Sequence, residues 1–146
     1  MSPSALEQIN NYAPDYGDGR GALGYAVTEH VQVRSKYGFT CDKTIKCIVE
    51  AFNQAGFKTI FSCENTRKWV VPRAEVAFGH ADPYLLLRFC LYLNGAMENG
   101  SDGSGGWGVS LWLDKFHPPN VVSASVNFTA SHQGLLRDVI IKWNKS

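Results

Sequence analysis

The chain has 146 residues, of which 45% are hydrophobic and 18% are charged, and its formal net charge is +1. These values are typical of a single globular domain that buries most of its surface without covalent cross-links. No apolar run reaches 18 residues, and the N-terminus lacks the charged and apolar regions of a secretory signal, so we expect neither a transmembrane helix nor export.

The N-terminal part of the chain predicts little regular structure before the first strand. Residues 1–24 are polar and rich in Gly, Asn, Asp and Tyr, and we interpret them as an irregular arm that precedes a single domain over residues 25–146. Gly19, Gly21 and Gly24 form a G-x-G-x-x-G pattern, but no strand is predicted before it and no helix after it. A dinucleotide site needs both, so the pattern indicates a turn.

The middle of the chain predicts a helix followed by two strands. Apolar residues at helical spacing predict a helix over residues 41–55, and Gly56 suits the left-handed position beyond its end. Strands are predicted over residues 58–63 and 69–78. Pro72 cannot donate a backbone hydrogen bond, so we expect that part of the second strand at an edge or a bulge.

The C-terminal half predicts two further helices around a hairpin. The predicted elements are a helix from Asp82-Pro83 to about Asn94-Gly95, a flexible loop over 95–106, strands over 107–114 and 121–129, and a last helix capped by Ser131. With a first strand over 25–34, the order is β-α-β-β-α-β-β-α. The sequence therefore predicts an α+β fold, a two-layer sandwich in which about three helices cover one face of a mostly antiparallel sheet.

The run from Ala55 to Cys63, with an amphipathic helix before it and a β segment after it, resembles small uncharacterised α+β proteins of phages and mobile elements. Those proteins often continue from Ser-Cys into Gly-His. This chain continues with Glu64-Asn65-Thr66, so no histidine role is transferred. The resemblance implies a cytoplasmic, phage-derived accessory protein that acts as an inhibitor of a host factor in the host cytoplasm.

A cationic and aromatic group is the strongest candidate site. Arg67, Lys68 and Trp69 lie between two predicted strands, and Arg73 follows shortly after them. Guanidinium groups bind phosphate or carboxylate with two hydrogen bonds, and an indole stacks on a base or a cation. Trp107 and Trp112 have opposite parity on a later strand, so only one can extend the same surface. We name Trp107 as the fifth candidate ligand-binding residue.

The catalytic and metal-binding alternatives depend on isolated residues rather than on complete sequence motifs. Cys63 could act as a nucleophile with His80 or His132 as its base, which would make the protein a small hydrolase or transferase. The histidines are isolated in sequence, so we predict neither a metal site nor a cofactor. Four cysteines without C-x-x-C spacing indicate a reducing, cytoplasmic setting without disulfides.

Residues 34–73 concentrate positive charge, with eight Lys and Arg against three acids. A basic middle section attracts anionic ligands. The sequence therefore predicts a non-catalytic binding protein for a nucleotide-like molecule, a nucleic acid or an acidic protein surface. A homo-oligomer is the third alternative, formed by pairing of the edge strand that carries Pro72 or of the hairpin that begins at Trp107.

Overall fold

A computed structural model describes residues 31–66, 71–103 and 105–143 of the chain. The predicted arm over residues 1–24, the domain boundary at residue 25 and most of the predicted first strand lie outside these ranges. Along the described residues, the elements are β1 (Gln32–Arg34), β2 (Thr40–Asp42), α1 (Lys46–Gln54), β3 (Lys58–Thr66), β4 (Arg73–Gly79), α2 (Pro83–Gly100), β5 (Trp107–Leu113), β6 (Val122–Phe128) and α3 (Gln133–Trp143).

The strands form two antiparallel sheets, and the fold is α+β as predicted. β1 and β2 pair as a small hairpin, and the main sheet has the strand order β3-β4-β6-β5. Each neighbouring pair in the main sheet is antiparallel, so the central strands are β4 and β6. β3 and β4 are paired up to Thr66 and Arg73, and the connection between them contains Arg67, Lys68 and Trp69.

One face of the main sheet carries the hydrophobic core. Alternation along β4 directs Ala74, Val76 and Phe78 to this face, and β6 contributes Ala124, Val126 and Phe128. The buried side chains of all three helices belong to the same cluster. The described helices therefore form a single layer on one face of the sheet, and we call this face the helix side.

The first helix begins later than its apolar spacing predicts. Cys41 lies in β2 rather than in a helix, and a 3₁₀ turn over Lys43–Ile45 precedes α1. Cys41 is nevertheless buried in the core. A buried apolar residue at this spacing fits either a helix or a strand that leads into it. Periodicity alone therefore predicts a start of the first helix that is too early.

The second helix is longer than predicted, and the flexible loop is correspondingly shorter. α2 continues through Gly95 to Gly100, and Met97 is fully buried in the core. The burial of Met97 stabilises the last turn despite the glycines, which lower helix propensity but do not forbid a helix. The predicted start is confirmed, because the Asp82 carboxylate accepts hydrogen bonds from the amides of Tyr84 and Leu85.

The start of the last helix also differs from the prediction. A 3₁₀ turn over Ala130–His132 precedes α3, and Ser131 lies inside that turn rather than at a helix cap. The predicted inner residues Leu136, Val139 and Ile140 are buried as expected. None of the described helices combines the length and the apolar composition of a membrane-spanning segment.

Candidate binding face of the sheet

The face of the main sheet opposite the helices, here called the second face, is built from small and polar side chains. Its centre is formed by Ala77 on β4 and by Ser123 and Ser125 on β6, all of them buried. Gly79 and Gly108 lie on the same face. Residues this small cannot fill a hydrophobic core, so the second face differs in chemistry from the helix side.

A guanidinium group is fixed at one end of the second face. Arg73 Nη1 donates a 2.7 Å hydrogen bond to Oδ1 of Asn127, which lies on the neighbouring strand. The Asn127 amide passes close over Gly108, where an added Cβ would come within 3.1 Å of Asn127 Nδ2. Burial lowers the pKa of Arg73, but a guanidinium stays protonated in a protein. Glu75 lies directly opposite Asn127.

Two aromatic side chains lie at the outer strands of this face. Phe61 on β3 is opposite Ala77, and its side chain is 46% exposed. Trp112 on β5 is opposite Ser123 and is 37% exposed. Three strand spacings separate β3 from β5, which corresponds to about 14 Å across the sheet. The second face therefore has a buried centre, a half-buried cation at one end and an exposed aromatic ring at each lateral edge.

A network of hydrogen bonds at the opposite end holds the connection between β5 and β6. The buried Asp114 carboxylate accepts hydrogen bonds from the Ser123 hydroxyl and from the amides of Phe116 and His117. His117 Nδ1 lies 3.1 Å from both carboxylate oxygens. The Ser123 hydrogen bond lowers the pKa of Asp114 most, burial opposes it, and the Phe116 amide and His117 lower it further, to about 2.

The Asp114 group has the residue types of a serine hydrolase but not its order of contacts. The carboxylate lies between the serine and the histidine, whereas general-base catalysis requires the imidazole to contact the serine hydroxyl. All of its contacts are made within the segment from Asp114 to Ser123. The group therefore stabilises the connection between β5 and β6, and no sequence pattern beyond Asp114 at the strand end predicts it.

Only part of the predicted cationic site falls within the described residues. Arg67, Lys68 and Trp69 lie outside them. Arg73 lies on the second face, as strand alternation predicts. Trp107 pairs with Phe128 and packs against the core on the helix side, so the structure places it on the opposite face from Arg73. The tryptophan on the second face is Trp112.

The structure does not bring the alternative catalytic pair together. Cys63 is directly opposite Glu75. His80 lies five residues after Glu75, which corresponds to about 16 Å along a strand. His80 Nδ1 accepts a 2.9 Å hydrogen bond from the Asp82 amide, and the ring lies beside Phe57. His132 Nδ1 lies 2.9 Å from the Thr129 hydroxyl. Each of these ring nitrogens therefore contacts a residue within three positions of its own in the chain.

Within the part of the chain that the structure describes, no three His, Cys, Asp or Glu side chains converge, and none of the four cysteines forms a disulfide. Comparisons with protein-family models, with curated proteins and with solved structures find no match to this chain. The resemblance to phage proteins therefore stays a prediction.

Proposed function

We propose that this protein is a non-catalytic binding protein for single-stranded nucleic acid. The observation that carries the proposal is the exposed ring of Phe61 on the same sheet face as the Arg73 guanidinium. Aromatic rings that stack on unpaired bases and cations that track the backbone are the two components of sequence-independent single-strand binding.

The spacing of these groups favours a strand over a mononucleotide. Phe61 is opposite Ala77, and Ala77 lies four residues from Arg73, which corresponds to about 13 Å along β4. A single nucleotide does not span that distance. A strand of several nucleotides does, and single-strand sites commonly cover about 4–16 nucleotides. The path from Phe61 across to Trp112 is not used, because Ala77, Ser123 and Ser125 are buried.

The charge for binding comes mainly from the connection between β3 and β4. On the second face, Glu75 balances Arg73, so these two residues alone give no net attraction for phosphate. Arg67 and Lys68 follow directly after Thr66, the last residue of β3. The proposal therefore assigns phosphate neutralisation to Arg67 and Lys68, and it assigns base stacking to Phe61.

The test is the salt dependence of binding to a labelled oligothymidylate, measured by fluorescence anisotropy. Wild type should bind, and the logarithm of its affinity should fall linearly with the logarithm of salt concentration. Arg67→Ala with Lys68→Ala should reduce the magnitude of that slope by about 1.4, because each phosphate contact to a single strand contributes about 0.7. The matched control is Arg137→Ala with Lys142→Ala, which removes two exposed cations from α3.

Three outcomes would overturn the proposal. Wild type could fail to bind the oligonucleotide at low salt, or both double variants could lose affinity equally. A polyglutamate peptide of the same charge could also bind as tightly as the oligonucleotide. That last result would show that stacking contributes nothing and would point to an acidic protein surface as the partner.

A further inference from the structure

Within residues 31–66, 71–103 and 105–143, the outer edge of β5 is an open edge of the main sheet. β5 pairs with β6 alone among the described residues, and it contains neither a charged residue nor a proline. The opposite edge differs, because the amide of Glu64 on β3 donates a 2.8 Å hydrogen bond to the Asp42 carboxylate. Soluble proteins usually protect a long edge strand with lysines, prolines or bulges, and β5 has no such protection.

The backbone groups that face outward from β5 can be identified from two hydrogen bonds. The Thr129 amide donates to the Gly106 carbonyl, and the Asp114 amide donates to the Val121 carbonyl. Gly106 and Asp114 are even-numbered residues directly before and after β5, and their partners directly flank β6. In an antiparallel ladder the bonded residues alternate, so the amides and carbonyls of the odd-numbered residues of β5 point away from β6.

Large apolar side chains surround this edge. Leu111 and Leu113 on the helix side of β5 are 42% and 84% exposed, and Trp112 on the second face is 37% exposed. Phe116 and Val121, in the connection to β6, are 77% and 60% exposed. Exposed large apolar side chains gathered at one end of a strand are typical of an interaction surface. An uncharged edge gives no electrostatic preference to an acidic or basic peptide, so a partner that is itself apolar and extended fits best.

We propose that β5 pairs in antiparallel orientation with β5 of a second copy of this chain. A two-fold axis beside Ser110 places Leu111 opposite the partner's Val109, so that the outward backbone groups meet. The same register places Trp112 opposite the partner's Gly108, which leaves room for the indole. Every contact occurs twice, and the two sheets become one antiparallel sheet with helices on one face.

The first test is the mass of the protein in solution, with one variant that removes a single outward amide. Wild type should sediment at twice the mass of the chain. Leu111→Pro should sediment as a monomer, because proline removes an outward donor and leaves the β6 ladder intact. Leu111→Ser keeps the amide, so it should remain dimeric with a weaker association constant. A monomeric wild type at every concentration would overturn the proposal.

The second test separates this edge from another apolar surface and does not depend on the proline variant folding. Tyr84, Leu87 and Leu91 form an exposed stripe on α2. If Leu91→Lys dissociates the dimer and Leu111→Ser does not weaken it, the interface is α2 and the proposal fails.

Amide hydrogen exchange measured by NMR gives a direct signature of the pairing. In the monomer, even-numbered amides of β5 exchange slowly and odd-numbered amides exchange fast. On raising the protein concentration, the odd-numbered amides should become protected as well. Association without that change would overturn the proposal.

Discussion

Asp114 accepts more hydrogen bonds than any neighbouring side chain in the connection between β5 and β6. The Ser123 hydroxyl, two backbone amides and the His117 ring all converge on its two carboxylate oxygens. All of these donors favour the ionised carboxylate, which is why its pKa falls to about 2. A protonated carboxyl would lose acceptor capacity for the same donors.

This pKa links the stability of the protein to acid. The pKa of Asp114 is lower in the folded state than its ordinary value of 3.8, so the unfolded chain binds the proton first. The stability that Asp114 contributes is therefore complete above about pH 4 and is lost as pH falls towards 2. Asp114→Asn should lower the urea midpoint at pH 7 and should flatten the dependence of that midpoint on pH between 4 and 2.

The control for this prediction is an acidic residue without a comparable set of donors. Asp138 lies on the surface of α3, 4.0 Å from Arg137. Asp138→Asn should leave the acid limb of the stability curve as in wild type. If Asp114→Asn retained the wild-type acid limb, the Asp114 contacts would not determine the pH dependence.

At the scale of the elements, two glycines with open space around them have opposite roles. An added Cβ would meet no atom within 4 Å at either Gly56 or Gly95. Gly56 has a φ of 95° and ends α1, where the Phe57 amide donates to the Phe52 carbonyl. Gly95 lies inside α2 and has no positive φ. Sterics are therefore equal at the two positions, and only the backbone differs.

Alanine should consequently change stability in opposite directions at these positions. Gly56→Ala should lower the free energy of unfolding by about 1 kcal/mol or more, because a side chain is strained in the left-handed region. Gly95→Ala should raise it by about 1 kcal/mol, because alanine loses less backbone entropy than glycine in a helix. Urea unfolding followed by circular dichroism measures both. Changes of the same sign would show that backbone conformation does not control the effect.

The elements that the sequence predicted well are those with local chemical markers. Asp82-Pro83 marks the start of α2, and Gly56 marks the end of α1, because capping and positive φ each need a particular residue type. The end of α2 has no such marker, since Met97 is held in the helix by tertiary packing rather than by propensity. The predicted start of α1 was wrong for a related reason, because the burial of Cys41 is compatible with either a strand or a helix.

At the scale of the whole molecule, the second face could be predicted only in part. Strand alternation correctly separates Arg73 from the core residues of β4. It cannot show that Asn127 holds Arg73, because the two residues are 54 positions apart in the chain. The choice between Trp107 and Trp112 also depends on the pairing of β5 with β6. Long-range register is set by the assembled sheet, so local patterns leave it open.

The helix side of the molecule is organised around Phe89 of α2. Its ring stacks on Phe57 at 3.9 Å between centroids and makes edge contacts with Phe52 at 6.0 Å and Phe78 at 5.7 Å. It also contacts Trp143 of α3 at 5.2 Å. One side chain thus touches the first helix, a central strand and the last helix. Its removal should weaken the entire domain rather than one element.

Phe89→Ala should lower the free energy of unfolding by about 3–5 kcal/mol, since a fully buried phenylalanine leaves a cavity that rigid neighbours cannot fill. A domain of this size is stable by about 5–15 kcal/mol, so the loss is a large share of the total. Tyr84→Ala on the same helix is the matched control, because Tyr84 is 76% exposed and should change stability by less than about 0.5 kcal/mol. Urea unfolding should remain a single transition for both variants. A loss below about 1 kcal/mol for Phe89→Ala would mean that the core can collapse around the missing ring, and that the four contacts of Phe89 do not couple the layers.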